Sequence, residues 1–418
     1  MFKRCFFIYF LASFFCFPLF AQNGFGLKAN KKRSRIPFEL VNNLPVLKVN
    51  INGTDFSFIL DTGVKSSLLF SSEAVEDFYI GKTVPVEIQG LGSDGPVKAL
   101  KSQNNKVQVG NAIDPDHELY LIFDTDLNFS PRMGVPINGI LGSDFFKNFV
   151  VEINYTSKAI TIHDPSHYVL SKCRKCIDLP LNFVDGKPYI NLMSSSKSIT
   201  DELTVLIDSG SSDVLWLFDQ KNYIQEMPKN YYEDFLGLGI GGNIYGKRSR
   251  IPQISVGDLH LKNVSASFPD EIAITIARTF EKRDGSVGGG FLKRFNIIFD
   301  YGNKTVRFKK NRRFAEPFNY NMSGLTIEHS GIGWLIDNFQ FTLVPRYVVV
   351  DVREGSPAHL AGVKKEDEIL SINGKASYRY KLYELIDLFS KEEGDKITLL
   401  INRGVVSKKI KFHLRKVF

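Results

Sequence analysis

Cysteine is scarce, with four residues in a chain of 418. Two of these, Cys5 and Cys16, fall in the first apolar segment, leaving only Cys173 and Cys176 for the remainder. So few thiols exclude a disulfide-knit scaffold, and the chain must be held by an apolar core. Its 43% apolar and 23% charged residues are those of an ordinary globular protein, and the length fits two or three domains. Beyond Phe20 no stretch is long and apolar enough to cross a bilayer. Long helical periodicities are few, so most elements should be strands. Nucleic-acid motifs are missing too, although the formal charge is +8. Part of that charge lies in Lys3, Arg4, Lys28, Lys31, Lys32, Arg33 and Arg35, which read as a solvated, membrane-adjacent basic arm.

The first 21 residues have the layout of a secretory signal peptide. Lys3 and Arg4 precede an aromatic-rich apolar run, Cys5 to Phe20, and Ala21 is a small residue suited to cleavage. A retained membrane anchor is the alternative, though the run is short for a span. The expectation is a periplasmic or secreted monomer with no stable membrane span after cleavage and no nucleic-acid partner. Gln22 to Arg35 is too short to fill a cleft, so a prosegment is not expected. In an exported chain the close pair Cys173 and Cys176 reads as a local disulfide. A zinc site is the alternative, because His163 and His167 lie just upstream at His-x3-His spacing. No metal and no cofactor are expected.

What the chain does contain is a long internal repeat. Phe58-Ile59-Leu60-Asp61-Thr62-Gly63 returns as Val205-Leu206-Ile207-Asp208-Ser209-Gly210, an offset of 208 − 61 = 147 residues. Gly90-Leu91-Gly92 maps onto Gly237-Leu238-Gly239, and Val109-Gly110 onto Val256-Gly257, at the same offset of 147. After a one-residue gap, Phe145, Tyr155 and Lys158 map onto Phe291, Tyr301 and Lys304 at 146. A fixed period with matched glycines and aromatics marks a duplicated unit. Each unit is mostly β, and they are placed at 34–168 and 177–313.

One Asp before a glycine turn is usually a loop residue accepting backbone hydrogen bonds. Two copies, each after three apolar residues, read instead as buried strands that deliver Asp61 and Asp208 to the floor of a cleft. Gly63 and Gly210 allow the tight turn, and the hydroxyls of Thr62 and Ser209 could cross-link the two turns. Carboxylates held that close cannot both ionise, so they share a proton and titrate as a unit. One can then act as general base on water while the other polarises a carbonyl.

These segments resemble the two lobes of a pepsin-like or retropepsin-like aspartic peptidase. The resemblance implies two pseudo-symmetric, closed β-barrel-like lobes, an activity on peptide bonds and an Asp61/Asp208 catalytic pair. In that family an apolar-apolar-Gly stretch packs behind each catalytic turn; Ile140-Leu141-Gly142 fits well and Ser286-Val287-Gly288 less so. A glycine-rich flap over the cleft is implied at Gly90, Leu91 and Gly92, with Gly237, Leu238, Gly239 and Gly241 as its partner; ordinary β-turns are the alternative. The copies differ after the catalytic glycine. Ser211 offers a hydroxyl to Asp208, whereas Val64, followed by Lys65, offers none to Asp61. Losing a donor raises a carboxyl pKa, so the pair should work nearer neutral pH than a pepsin does.

The final segment, 324–418, carries Gly355-Ser356-Pro357-Ala358, Ala361-Gly362 and Asp367-Glu368-Ile369-Leu370-Ser371-Ile372-Asn373-Gly374, followed by an amphipathic stretch from Lys381 to Ser390. This string resembles a PDZ domain. The resemblance implies capture of a peptide C-terminus by strand addition, with Gly331, Ile332, Gly333 and Trp334 as the carboxylate-binding loop. The leading reading is an exported aspartic endopeptidase whose PDZ domain recruits or gates peptide and protein substrates. A non-catalytic protein that holds peptides in a degenerate cleft is the alternative. Glycan cleavage is disfavoured, since glycosidase carboxylates sit further apart and need no matched turns.

Overall fold

The computed structural model describes residues 24–70, 79–124, 126–195, 200–218, 230–279, 282–337 and 340–418. The segment 1–21, read as a signal peptide, lies outside the described residues. The chain is mainly β.

Each repeat closes a six-stranded barrel. In the first, Leu44–Ile51, Thr54–Leu60, Gly139–Leu141, Ser67–Phe70, Ala112–Ile122 and Val97–Val109 follow one another around the sheet. The last strand pairs back to the first, which closes the ring. In the second, Lys187–Ser195, Thr200–Ile207, Gly285–Val287, Leu215–Leu217, Leu259–Pro269 and Gly242–Val256 repeat that order and close in the same way. The matched landmarks occupy matched places. Gly110 and Gly257 turn equivalent hairpins at φ of 59° and 52°, and Lys158 and Lys304 sit at φ of 50° and 52°.

A third sheet joins the repeats. Arg33–Pro37, Ala159–His163 and Val150–Asn154 come from the first, and Phe295–Asp300, Thr305–Lys310 and Cys176–Pro180 from the second. Val150–Asn154 runs antiparallel to Phe295–Asp300 with Ile153 opposite Ile297, so the seam lies at the centre of this sheet. One core is shared across it, with Leu141 and Phe145 of the first repeat and Val287 and Phe291 of the second all buried.

The C-terminal segment forms its own sheet, ordered Leu325–Asp337, Gln340–Val352, Glu368–Ile372, Lys396–Arg403 and Val406–His413. A short helix, Leu382–Asp387, buries Leu382 and Leu385 against it. Leu325–Asp337 is an edge strand of this sheet. The linker into the segment is clamped by buried Arg294, which donates to the carbonyls of Arg313, Phe314 and Pro317 and lies on the Phe318 ring.

Candidate active site

Asp61 and Asp208 follow the strands Thr54–Leu60 and Thr200–Ile207 directly. Both strands are pinned from behind by a parallel partner. Gly139–Leu141 sets Leu141 beside Leu60, and Gly285–Val287 sets Val287 beside Ile207. The carbonyls of Leu141 and Val287 accept the backbone N–H of Asp61 and Asp208 at 3.0 and 2.9 Å. The weaker sequence match at Ser286-Val287-Gly288 thus makes the same connection as Ile140-Leu141-Gly142.

The two turns are cross-linked by their hydroxyls. Thr62 donates to the Ile207 carbonyl at 2.6 Å and accepts the Ser209 N–H at 3.0 Å. Ser209 returns the pattern, donating to the Leu60 carbonyl at 2.7 Å and accepting the Thr62 N–H at 3.1 Å. Glycine is required where the turns face each other. A Cβ on Gly63 would lie 2.8 Å from Asp208 Oδ1, and one on Gly210 would lie 2.1 Å from Asp61 Oδ2. Each turn therefore contacts the other's carboxylate.

Both carboxyls are buried, at 7% and 9% exposure. Burial, and then the charge of Asp208, pushes the Asp61 carboxyl well above the usual carboxylate range, against the pull of the Gly63 N–H and Lys187. Burial raises Asp208 as well, opposed by Arg283, the Gly210 N–H, Lys187 and the Ser211 N–H. The Gly63 amide donates to Asp61 Oδ1 at 2.7 Å, and the Gly210 amide to Asp208 Oδ1 at 3.1 Å. Ser211 acts on the carboxyl through its backbone N–H, which also donates to the Asp208 backbone carbonyl at 3.3 Å, rather than through the hydroxyl expected from sequence. Val64 packs on an apolar cluster that also receives Leu238 and Ile240, so the position that offers no donor to Asp61 serves packing.

The glycine-rich segments meet each other. Tyr232–Gly239 and Gly242–Val256 form a hairpin turned at Ile240-Gly241, with Gly237 and Leu238 inside its first strand. Gly90, Leu91 and Gly92 belong to the broader connection between Thr83–Ile88 and Val97–Val109. Gly241 donates to the Leu91 carbonyl at 2.8 Å, Asp94 to the Gly241 carbonyl at 2.7 Å and Gly92 to the Ala273 carbonyl at 3.0 Å. The apolar side chains exchange sides: Leu91 packs with Trp216 and Ile244 of the second repeat, and Leu238 and Ile240 with Leu68 and Ile140 of the first.

Two charged residues near the pair carried no sequence signal. Lys187 begins the strand Lys187–Ser195, and Arg283 sits two residues before Gly285–Val287. Lys187 faces both carboxylates electrostatically, and Arg283 faces Asp208. The equivalent positions of the first repeat are apolar, an equivalence that strand register shows and the 147-residue offset does not.

Cys173 and Cys176 are joined in a disulfide. That removes both thiolates from the alternative zinc set with His163 and His167, and His163 lies instead beside Glu152, 3.6 Å away. Gly331, Ile332, Gly333 and Trp334 do not form a loop. They lie within the strand Leu325–Asp337, where Gly331, at φ 92°, belongs to a bulge and pairing resumes with Ile332 opposite Pro345. Ile332 and Trp334 are exposed on this strand. The turn entering the edge strand is Asn321–Gly324, where Gly324 takes φ of 80°.

Residues 47–145 match the family model described as aspartyl protease, and residues 348–403 match the PDZ domain model. The first match includes Asp61; Asp208 lies beyond it, tied to Asp61 by the repeat and the crossed hydrogen bonds. Gly331–Trp334 fall before the second match. No curated protein matches the chain. The chain thus carries an aspartyl protease domain and a PDZ domain.

Proposed function

We propose that this protein is an exported aspartic endopeptidase that hydrolyses peptide bonds with water activated by Asp61 and Asp208, its PDZ domain gating or recruiting the substrate. The observation that carries the reading is the buried pair itself: two carboxyls from two barrels, aligned by reciprocal hydroxyl bonds and both raised in pKa. Such a pair holds one proton between its members over a wide pH range. The ionised member takes a proton from water, the protonated member donates to the carbonyl oxygen, and the leaving amine is protonated in turn. The joined glycine-rich segments suit a cover that excludes water from a bound peptide. The Cys173–Cys176 disulfide favours an oxidising compartment, in keeping with a periplasmic or secreted location.

A peptide-cleavage assay on purified Gln22–Phe418, scanned over pH beside Asp61→Asn and Asp208→Asn, tests this. Cleavage should peak between weakly acid and neutral pH and fall about a thousandfold in both variants. An optimum below about 4, the range of an unperturbed carboxyl, would overturn the pH argument. Peptide binding without cleavage at any pH would leave a peptide-holding protein.

A further inference from the structure

The floor around the carboxyl pair is electrically lopsided. Arg283 is only 9% exposed, yet its Nη2 has no hydrogen-bond partner. Its Nε donates to the Gly285 carbonyl at 3.2 Å, its guanidinium lies 4.7 Å from the centre of the Phe218 ring, and it hydrogen-bonds the Tyr189 side chain. An unmet donor on a desolvated cation is costly, and its charge is directed at Asp208. Lys187 approaches from another element. It follows the Asp185-Gly186 turn, which is tied to the first repeat by the Ser143 hydroxyl donating to the Gly186 carbonyl at 3.1 Å. Half-buried, it faces both Asp61 and Asp208.

The first repeat builds the same floor without cations. Tyr189 pairs with Leu206 as Val46 pairs with Ile59, so Lys187 is the counterpart of Leu44. Arg283 precedes Gly285 as Ile137 precedes Gly139, and both Leu44 and Ile137 are buried. The barrel and its Asp turn therefore do not require the cations. With one proton on the pair, the two cations leave one positive charge unmatched at the floor. Asp185, the other acid facing Lys187, is exposed on its turn, where solvent screens it.

We propose that Arg283 and Lys187 form an anion-accepting subsite on the second-repeat side of the cleft, selecting peptides with an Asp or Glu side chain close to the scissile bond. Nη2 is unpaired but closed to solvent, so the Arg283 guanidinium turns toward an entering carboxylate to supply a charge-assisted hydrogen bond, and the half-buried Lys187 supplies a point charge. Selection by cleavage rests on the peptidase reading; selection by binding does not.

The test uses peptide pairs differing only by Glu or Gln, with the position scanned on both sides of the cleaved bond. At one position the unmutated protein should show kcat/KM about tenfold or more higher for Glu, the usual discrimination of a charge-assisted bond. That ratio should fall to near one in Arg283→Gln, persist in Arg283→Lys, and shrink in Lys187→Gln, whose part-exposed site tolerates change. Equal rates for Glu and Gln at every position overturn the proposal, as does a ratio that survives in both Gln variants. Calorimetric binding of the same pairs to Asp61→Asn separates the two ideas. If nothing is cleaved yet the Glu peptide binds tighter, the subsite stands and the peptidase reading falls; equal binding removes the subsite.

Discussion

The paired carboxyls sit where folding alone would not place them. Asp61 and Asp208 are both raised by burial, so each binds its proton more tightly in the folded chain than in the unfolded one. The sign follows directly. Their favourable contribution is complete below the unfolded carboxyl value of about 4 and is lost as pH rises through the raised folded values. At neutral pH the folded chain holds a charge it would rather neutralise. Asp61→Asn or Asp208→Asn should therefore stabilise the protein at pH 8 by about 1 kcal/mol or more, with the gain vanishing toward pH 4. Thermal unfolding of each variant against the unmutated protein across that range measures it. A stability difference independent of pH would mean that the carboxyls are not desolvated. Under the proposed function, activity and stability are set against each other at these two residues.

The interlocked glycine segments make a comparable demand on an element. Gly239 approaches so closely that a Cβ would lie 2.0 Å from the Leu91 carbonyl, whereas one on Gly237 meets nothing within 4 Å. Gly239→Ala must push the segments apart, and kcat/KM should fall about tenfold while the pH profile keeps its shape. Gly237→Ala should cost less. Equal losses would place the effect in strand propensity rather than at the junction. The base of the hairpin is firmer, since Arg248 bridges Asp234 on one strand to Asp213 near the barrel floor, at 2.6 and 2.7 Å. Much of this was legible in the chain: a period of 147 with matched glycines announced two equivalent β units and both Asp turns. The exchange of Leu91 for Leu238 and Ile240 was not, because an apolar residue beside glycine reads as strand or turn whichever barrel it covers. Lys187 and Arg283 were invisible for a related reason. They interrupt the repeat, and only strand register shows that Leu44 and Ile137 occupy the same places. Gly331–Trp334 misled by composition; alternating glycines mimic a loop, but a bulge absorbs them and the strand continues.

Across the whole molecule, the PDZ domain is bound to the two barrels rather than tethered to them. Phe418, Tyr232 and Tyr320 form a three-ring cluster, each ring against the other two, and Arg353 lies over the Tyr232 ring, so Phe418 is seated on the strand that leads to the second glycine-rich turn. On the other side the helical turn Ser130–Met133 of the first repeat lies against the edge strand Leu325–Asp337. Gly134, which ends that turn at φ of 67°, packs so closely on Leu382 that a Cβ would lie 2.4 Å from the leucine's Cβ. Arg132 links three units at once: its Nε meets Glu328 of the edge strand at 2.9 Å, while its guanidinium lies 3.9 Å over the Phe235 ring of the hairpin strand. A peptide adding to this edge as a further strand would have to displace the turn. Its apparent affinity is then reduced by the fraction of molecules in which the turn is docked. Arg132→Met, which keeps an apolar stem but removes the ion pair, should raise affinity for a C-terminal peptide a few-fold, since a partly exposed pair contributes about 0.5–1 kcal/mol. Cleavage should change in the same variant, because Phe235 loses its cover. Titration of a labelled peptide, run beside the cleavage assay, reads both effects. Unchanged or weaker peptide binding would make the turn a strut that only stabilises the PDZ domain against the protease lobe; tighter binding with altered cleavage would make Arg132 the joint through which a bound chain end reaches the cleft.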